Sequence, residues 1–315
     1  MSNKQWISAW SFIVIAVFSS LFVLVSLLES YGIPLRFTNS ISYDAKINFL
    51  RNHVALLNES STIVLGSSMG LNDIDSAMLE KTAASGKVIN LSSWGLHASE
   101  VFQFLKLIDL KNTRYLVFSA QFFDLCGQPL KEMDQAEIRK YIYGDFSIYP
   151  YIQTVLTLPR HANAYLHWNE YYRDKENYTN LEFDEYGDVP MNIPKQRIDP
   201  DRWDVVDEDY AVEDLNFEAL LELNTYLKER GITLIVARPP YRQPLLDNNP
   251  ALKRIFDTFG ESLSRLSKEN DFIFLDAHAL LHLDDSYFVD KSHLNLAGAD
   301  IYSTAIAARL AALHP

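Results

Sequence analysis

The chain opens on an uninterrupted apolar run and then settles into short apolar segments divided by polar ones. Ile7 to Leu28 (ISAWSFIVIAVFSSLFVLVSLL) carries no charged side chain. At about 1.5 Å per residue such a helix reaches roughly 33 Å, enough to cross the hydrocarbon core of a bilayer. The run is long for the apolar part of a cleaved signal peptide, and Glu29-Ser30-Tyr31-Gly32-Ile33-Pro34 contains no A-x-A cleavage pattern. It therefore predicts an uncleaved transmembrane anchor over 1–28. Trp6, Trp10 and Tyr31 lie near its ends, where interfacial aromatics are favoured. Lys4 and the amino terminus supply the positive charge ahead of it, which predicts a cytoplasmic N-terminus and a C-terminal domain in the periplasm or outside the cell.

Residues 29–60 read as a linker followed by an amphipathic helix, with Ile47, Leu50, Val54 and Leu57 on one side of the stretch Tyr43 to Leu57, a face that suits packing on the domain or lying on the membrane surface. From Ser61 onward, strand and helix signals alternate. Strands are predicted over Ser61–Leu65, Lys87–Leu91, Thr113–Phe118, Ile232–Ala237 and Phe272–Leu275. Helices are predicted around Asp75–Ala84, Ala98–Leu110, Asn216–Glu229, Ala251–Lys268 and Ala297–Ala312. The pattern implies an α/β domain over 61–315, three-layered and flavodoxin-like, with a parallel sheet and ligands outside the carboxyl ends of its strands. Between Leu125 and Asp214 the alternation gives way to an aromatic and acidic stretch, read as an insertion over 125–214. Its tyrosines and tryptophans suit core packing or a sugar-stacking platform.

Charge and cysteine content narrow the function classes. With 41 acidic against 28 basic residues and a net charge of -13, the chain lacks the basic stripe of a nucleic-acid binder. A single cysteine, Cys126, excludes an intramolecular disulfide and a cysteine-rich metal site. His278 and His282 stand four apart, yet no H-E-x-x-H pattern accompanies them, so neither a metal nor a cofactor is predicted.

Two motifs carry chemistry. Gly66-Ser67-Ser68-Met69-Gly70 follows the first strand and precedes a helix. A serine there projects from the strand end, beside unpaired first-turn N–H groups able to hold an oxyanion. Asp290-Lys291-Ser292-His293-Leu294-Asn295 precedes the last helix. An aspartate three residues ahead of a histidine can fix the imidazole tautomer and stabilise the imidazolium that forms when serine is deprotonated. Taken singly, each motif also reads as an ordinary turn or helix cap. Together they place a nucleophile, Ser68, and its base, His293 with Asp290, at the same edge of one sheet.

With these residues the sequence resembles the SGNH (GDSL-like) hydrolase superfamily from about Ser61 to the C-terminus, apart from the insertion. The family's serine turn matches Ser68, with Ser67 where its aspartate stands. Its glycine matches Gly95 in Asn90-Leu91-Ser92-Ser93-Trp94-Gly95, and its D-x-x-H matches Asp290 and His293. The family's asparagine has no counterpart, since the third strand continues into Ser119-Ala120-Gln121. The resemblance implies an oxyanion hole built from the N–H groups of Ser68 and Gly95, with Gln121 as a candidate third donor. Substrate-binding candidates are Arg238, Tyr241 and Arg242 after the fourth strand, together with His97.

The N-terminal run and the Ser67 departure are similar to membrane-anchored members, the alginate O-acetylation proteins and the D-alanyl-lipoteichoic acid protein D. That likeness implies acyl-enzyme chemistry on a cell-surface polysaccharide or teichoic-acid-like polymer, with a membrane-bound O-acyltransferase as partner. The alternative is a non-catalytic polymer-binding or assembly factor with the same fold. Because every candidate catalytic residue lies beyond Ser61, a chain beginning near Tyr43 is expected to fold and hydrolyse small esters.

Overall fold

A computed structural model describes residues 3–82, 85–126, 134–204 and 210–313. Its centre is a five-stranded parallel sheet of β1 (Thr62–Gly66), β2 (Val88–Asn90), β3 (Tyr115–Ser119), β4 (Thr233–Arg238) and β5 (Ile273–Asp276), in the order β2-β1-β3-β4-β5. The register is unbroken where it matters most: Thr62 to Gly66 pair in sequence with Tyr115 to Ser119, which brings the carboxyl ends of β1 and β3 level. Each predicted strand is present within two residues of its expected bounds.

Helices precede and cover the sheet. The N-terminal part contains α1 (Asn3–Ser30), α2 (Ile41–Asn52) and α3 (Val54–Glu59). Around the first three strands lie α4 (Ser68–Asp73), α5 (Ser76–Glu80) and α6 (Ala98–Leu105). The insertion supplies α7 (Gln135–Ile142), α8 (Tyr149–Leu166), α9 (Trp168–Tyr172) and α10 (Pro200–Trp203). After it come α11 (Glu218–Lys228), α12 (Gln243–Asn248), α13 (Pro250–Asn270), α14 (Ala277–Leu281) and α15 (Leu296–Ala311).

Alternation along the strands divides the core into two layers. Ile63, Leu65, Leu116, Phe118, Leu234 and Val236 pack with α2, α6, α11 and α13. Val64, Val117, Ile235 and Ala237 point the other way, onto α15 and the Leu79 end of α5. α13 shows how sequence sets an element: Asn249 accepts the Leu252 N–H, Pro250 opens the first turn, and Leu252, Ile255, Phe256, Phe259, Leu263 and Leu266 form its buried face. It ends at Asp271, whose left-handed φ of 55° stops the helix.

The N-terminal part packs on the domain. The stretch Tyr43–Leu57 forms two helices, broken at His53, whose Nδ1 pairs with Phe49 O at 2.8 Å. Leu35, Phe37, Tyr43, Ile47 and Leu50 belong to the main core. A buried ion pair, Arg36 Nε to Asp44 Oδ2 at 3.0 Å, ties the segment to α2. α1 is long and apolar enough to cross a membrane and is exposed over most of its length, with Val25 buried.

Candidate active site

Close approach shapes the nucleophile turn. A Cβ on Gly66 would fall 2.3 Å from Ser119 O, so only glycine lets the end of β1 lie this near β3. Ser67 has extended backbone angles and caps α4 by accepting the Met69 N–H at 3.4 Å. Ser68 is therefore the first helical residue, half-exposed, and its N–H is a first-turn donor with no partner among the described residues.

The loop after β2 is locked beside it. The Ser93 N–H donates to Gly66 O at 3.1 Å. Ser42 Oγ holds the loop from behind, 2.9 Å from Ser93 Oγ and accepting the Trp94 N–H at 3.1 Å. Gly95, two positions on, is exposed, turns with φ 64°, and its N–H takes no partner among the described residues. Both proposed backbone donors thus remain available. His97 follows: its N–H donates to Glu100 Oε2 at 2.7 Å, and its Nδ1 is buried without a hydrogen bond.

The base loop is closed by the antiparallel bridge of Phe288 with Leu294. Within it, His293 Nδ1 lies 2.8 Å from Asp290 Oδ2 and 3.0 Å from Oδ1. Asp290 Oδ1 also accepts the N–H groups of Ser292 and His293 at 2.9 and 2.8 Å. Burial works to raise the Asp290 carboxyl, but the facing His293 and these donors outweigh it and hold the pKa below the usual range. Burial likewise works against protonation of His293, but the Asp290 charge and hydrogen bond prevail and lift it above the ordinary imidazole value. Nε2, the nitrogen that would take a proton, is buried and unpartnered. No hydrogen bond joins it to Ser68 among the described residues.

A residue that the sequence did not single out connects the two halves. Asp73, the last residue of α4, accepts the Leu294 N–H on Oδ1 at 2.9 Å, while its Oδ2 is buried without a partner. Ser68 and Asp73 lie on one helix about 7.5 Å apart along its axis, so the tie fixes the serine relative to the histidine loop. Burial pushes the Asp73 carboxyl up to about 8, against the opposing pull of the facing His293.

Residues 178–202 of the insertion are tied to the site. Asp188 accepts the Ser76 N–H and hydroxyl at 2.6 and 2.8 Å and Asn90 Nδ2 at 2.6 Å; Asn90 Nδ2 also donates to Gly70 O at 2.7 Å. The Val189 N–H reaches Leu71 O at 2.9 Å, and Asn72 Nδ2 reaches Val189 O at 2.6 Å. Tyr178 donates to Val289 O at 2.6 Å, and Arg202 O accepts the Lys291 N–H at 3.1 Å. One segment therefore braces both the nucleophile helix and the base loop. Tyr141, Tyr165 and Trp168 are buried packing residues.

Several expected substrate contacts are occupied structurally. Arg238 is 5% exposed: it grips Asp276 with Nε at 2.9 Å and an Nη at 2.5 Å, donates to Phe256 O at 3.0 Å, and stacks on the Phe256 ring. Arg242 is 3% exposed, paired with Asp285 at 2.8 and 3.1 Å and lying over Trp203. Tyr241 is buried between Phe122 and Phe256, and its N–H donates to His278 Nδ1 at 3.2 Å. Gln121 is fully buried and its Nε2 donates to Pro239 O at 2.9 Å, joining the ends of β3 and β4. The amide is therefore engaged in the framework and does not stand open as an oxyanion donor.

No family model matches the sequence, and none of the curated proteins matches it either. Solved structures similar to it include LAE5, an alpha/beta hydrolase enzyme from the metagenome of Lake Arreo, at 13% identity and TM-score 0.45, covering 81% of this chain and 97% of that one. A variant of Axe2, an acetylxylan esterase from Geobacillus stearothermophilus, aligns at 12% identity and TM-score 0.40 over 80% of this chain and 94% of its own. A protein assigned to the lipolytic G-D-S-L family from Desulfitobacterium hafniense aligns at 10% identity and TM-score 0.39, covering 79% and 99%.

Proposed function

We propose that this protein is a membrane-anchored, serine-dependent acyl-ester enzyme of the SGNH type. The observation that carries the reading is His293: Nδ1 rests on Asp290, Nε2 is buried and unpartnered, and its loop is tied through Asp73 to the helix that begins at Ser68. In the first half-reaction Ser68 Oγ attacks the ester carbonyl carbon while its proton passes to His293 Nε2. The negative carbonyl oxygen meets the N–H groups of Ser68 and Gly95. Collapse breaks the bond to the leaving alkoxide, which takes the proton from Nε2 and leaves an acyl-Ser68 ester. In the second half His293 removes a proton from an acceptor hydroxyl, that oxygen attacks the acyl carbon, and Ser68 is released with its proton restored.

The acceptor we favour is a hydroxyl of a cell-surface polysaccharide or teichoic-acid-like polymer, with an acetyl or D-alanyl-like group delivered by a membrane-bound O-acyltransferase. Two features support this: the apolar length of α1, and the contact of Ser42, in the first turn of α2, with the Ser93-Trp94 loop beside Ser68. The N-terminus is then cytoplasmic and the sheet domain lies in the periplasm or outside. One observation favours a non-catalytic assembly role instead, namely the engagement of Gln121 with Pro239, which leaves the family's third donor unreplaced. Turnover decides between the two. Purified protein should hydrolyse a small activated acyl ester, and Ser68→Ala should abolish it and deplete acyl groups on surface polymer in cells. Equal turnover in Ser68→Ala, or none in the native protein, rejects the enzymatic reading.

A further inference from the structure

The apolar surface of the chain does not end with α1. Helix α8 leans on it, with the Phe22 and Tyr151 rings stacked at 4.8 Å between centroids. The Tyr151 and Tyr141 hydroxyls donate to the two Glu29 carboxylate oxygens at 2.8 and 2.9 Å, and Arg51 stands 3.9 Å from the same group. A polar clamp thus closes around the last turn of α1. On the membrane side of that clamp, α1 and α8 enclose a groove of about 480 Å³, walled by Phe18, Phe22 and Val23 on one helix and Ile148, Ile152 and Leu156 on the other.

Depth and composition say what fits there. From Glu29 back to Phe18, α1 descends about 16 Å, comparable to the roughly 15 Å half-thickness of a bilayer's hydrocarbon core. Ile148, the N-cap of α8, and Ile152 and Leu156 within it recur every fourth residue on one outward face and are 52%, 47% and 70% exposed; Phe146, just ahead, is 79% exposed. No charged side chain occurs from Phe146 through Pro159, and Arg160 follows immediately. An apolar face of this kind with a cation at its end is the pattern of a helix lying at a membrane interface.

We propose that this face of α8 is seated in the acyl region of the leaflet on which the sheet domain rests, so that α1 and α8 form one membrane footprint and the groove between them holds a lipid acyl chain. The inference rests on the anchor reading of α1 and goes beyond it, because a single-span tether needs no second apolar helix. A lipid occupant, in preference to a protein, follows from continuity: the exposed α8 face extends the exposed surface of α1 without an intervening charge. It also aligns the domain, since α2, which carries Ser42, meets the same clamp at Asn48, whose Oδ1 lies 2.7 Å from the Tyr141 hydroxyl oxygen and shares its one proton with Glu29.

The test uses full-length protein in phosphatidylcholine and phosphatidylglycerol vesicles, with an environment-sensitive dye on single introduced cysteines; the native Cys126 is buried. Ile152→Cys and Leu156→Cys probe the face, Phe18→Cys reports α1, and Leu280→Cys, on the exposed part of α14, reports water. The dye at 152 and 156 should be quenched severalfold more by acyl-chain nitroxide lipid than the dye at 280, and several-fold less by aqueous iodide. Iodide quenching at 152 and 156 equal to that at 280, with lipid quenching intact at 18, overturns the α8 proposal and leaves the anchor standing. Shielding of 152 and 156 from both quenchers also overturns it, in favour of contact between protein copies. Absence of lipid quenching at 18 removes the anchor itself and the proposal with it.

Discussion

Ser67 and Ser68 are adjacent hydroxyls with different tasks, and position alone separates them. The first caps α4, whereas the second begins the helix and is left free to react. Ser68→Ala should therefore abolish ester turnover while leaving the thermal unfolding midpoint within a few degrees of the parent, as circular dichroism would show. The paired ionisations of Asp290 and His293 give a second prediction. His293 must be neutral to accept a proton, and its pKa is raised, so kcat/KM should climb with pH through a limb above about 6.5. Asp290→Asn removes the charge that raises it and should move that limb to lower pH. A limb that does not move would assign the titration to another group. Stability follows the same pair. The contribution of the depressed Asp290 is complete above its unfolded value and fades as pH falls through the folded one; that of the raised His293 is complete below its unfolded value and fades as pH rises through the folded one. The pair should thus stabilise most between about pH 4 and 6.5.

At the scale of elements, the short helix α4 is the mechanical link between Ser68 and the loop of His293. Asp73→Asn retains a neutral acceptor for the Leu294 N–H and should keep most activity. Asp73→Ala removes it and should lower kcat by up to about 100-fold, the order expected when a reacting group shifts by about 1 Å. Equal kinetics in the two variants would show that the tie does not position the site. The strap on the other side of α4 makes a comparable prediction. Asp188→Ala leaves Ser76 and Asn90 donors unmatched in a buried place, which should cost about 2 kcal/mol or more in urea unfolding. The sequence revealed the strands and the two motifs because apolar runs and local spacing are written in consecutive residues. It did not reveal Asp73 or Asp188, whose partners lie far away: Asp73 meets a residue 221 positions on, and Asp188 meets Ser76 across 112. Arg238 and Arg242 misled for the converse reason, since a cation in a loop looks solvated until its carboxylate and aromatic partners are placed around it.

For the whole molecule, the segment after α1 is part of the fold of the sheet domain. A chain beginning near Tyr43 would lose Ile33, Leu35, Arg36, Phe37 and Ser42, exposing core and leaving the Asp44 carboxylate without its buried partner. Removing one member of such a pair typically costs about 3 to 5 kcal/mol, so that chain should aggregate or unfold, contrary to the expectation from motif positions alone. A chain beginning at Tyr31 keeps these contacts and should fold, with detergent covering the α8 face, which size-exclusion chromatography and circular dichroism can compare directly. The claim on which all of this depends is that His293, held by Asp290, activates Ser68. Intact-mass analysis of the full-length protein after exposure to a fluorophosphonate tests it most directly. The account predicts one adduct, mapped by peptide sequencing to Ser68, absent in Ser68→Ala and strongly slowed in His293→Ala; an unlabelled native protein, or labelling indifferent to His293, would contradict it.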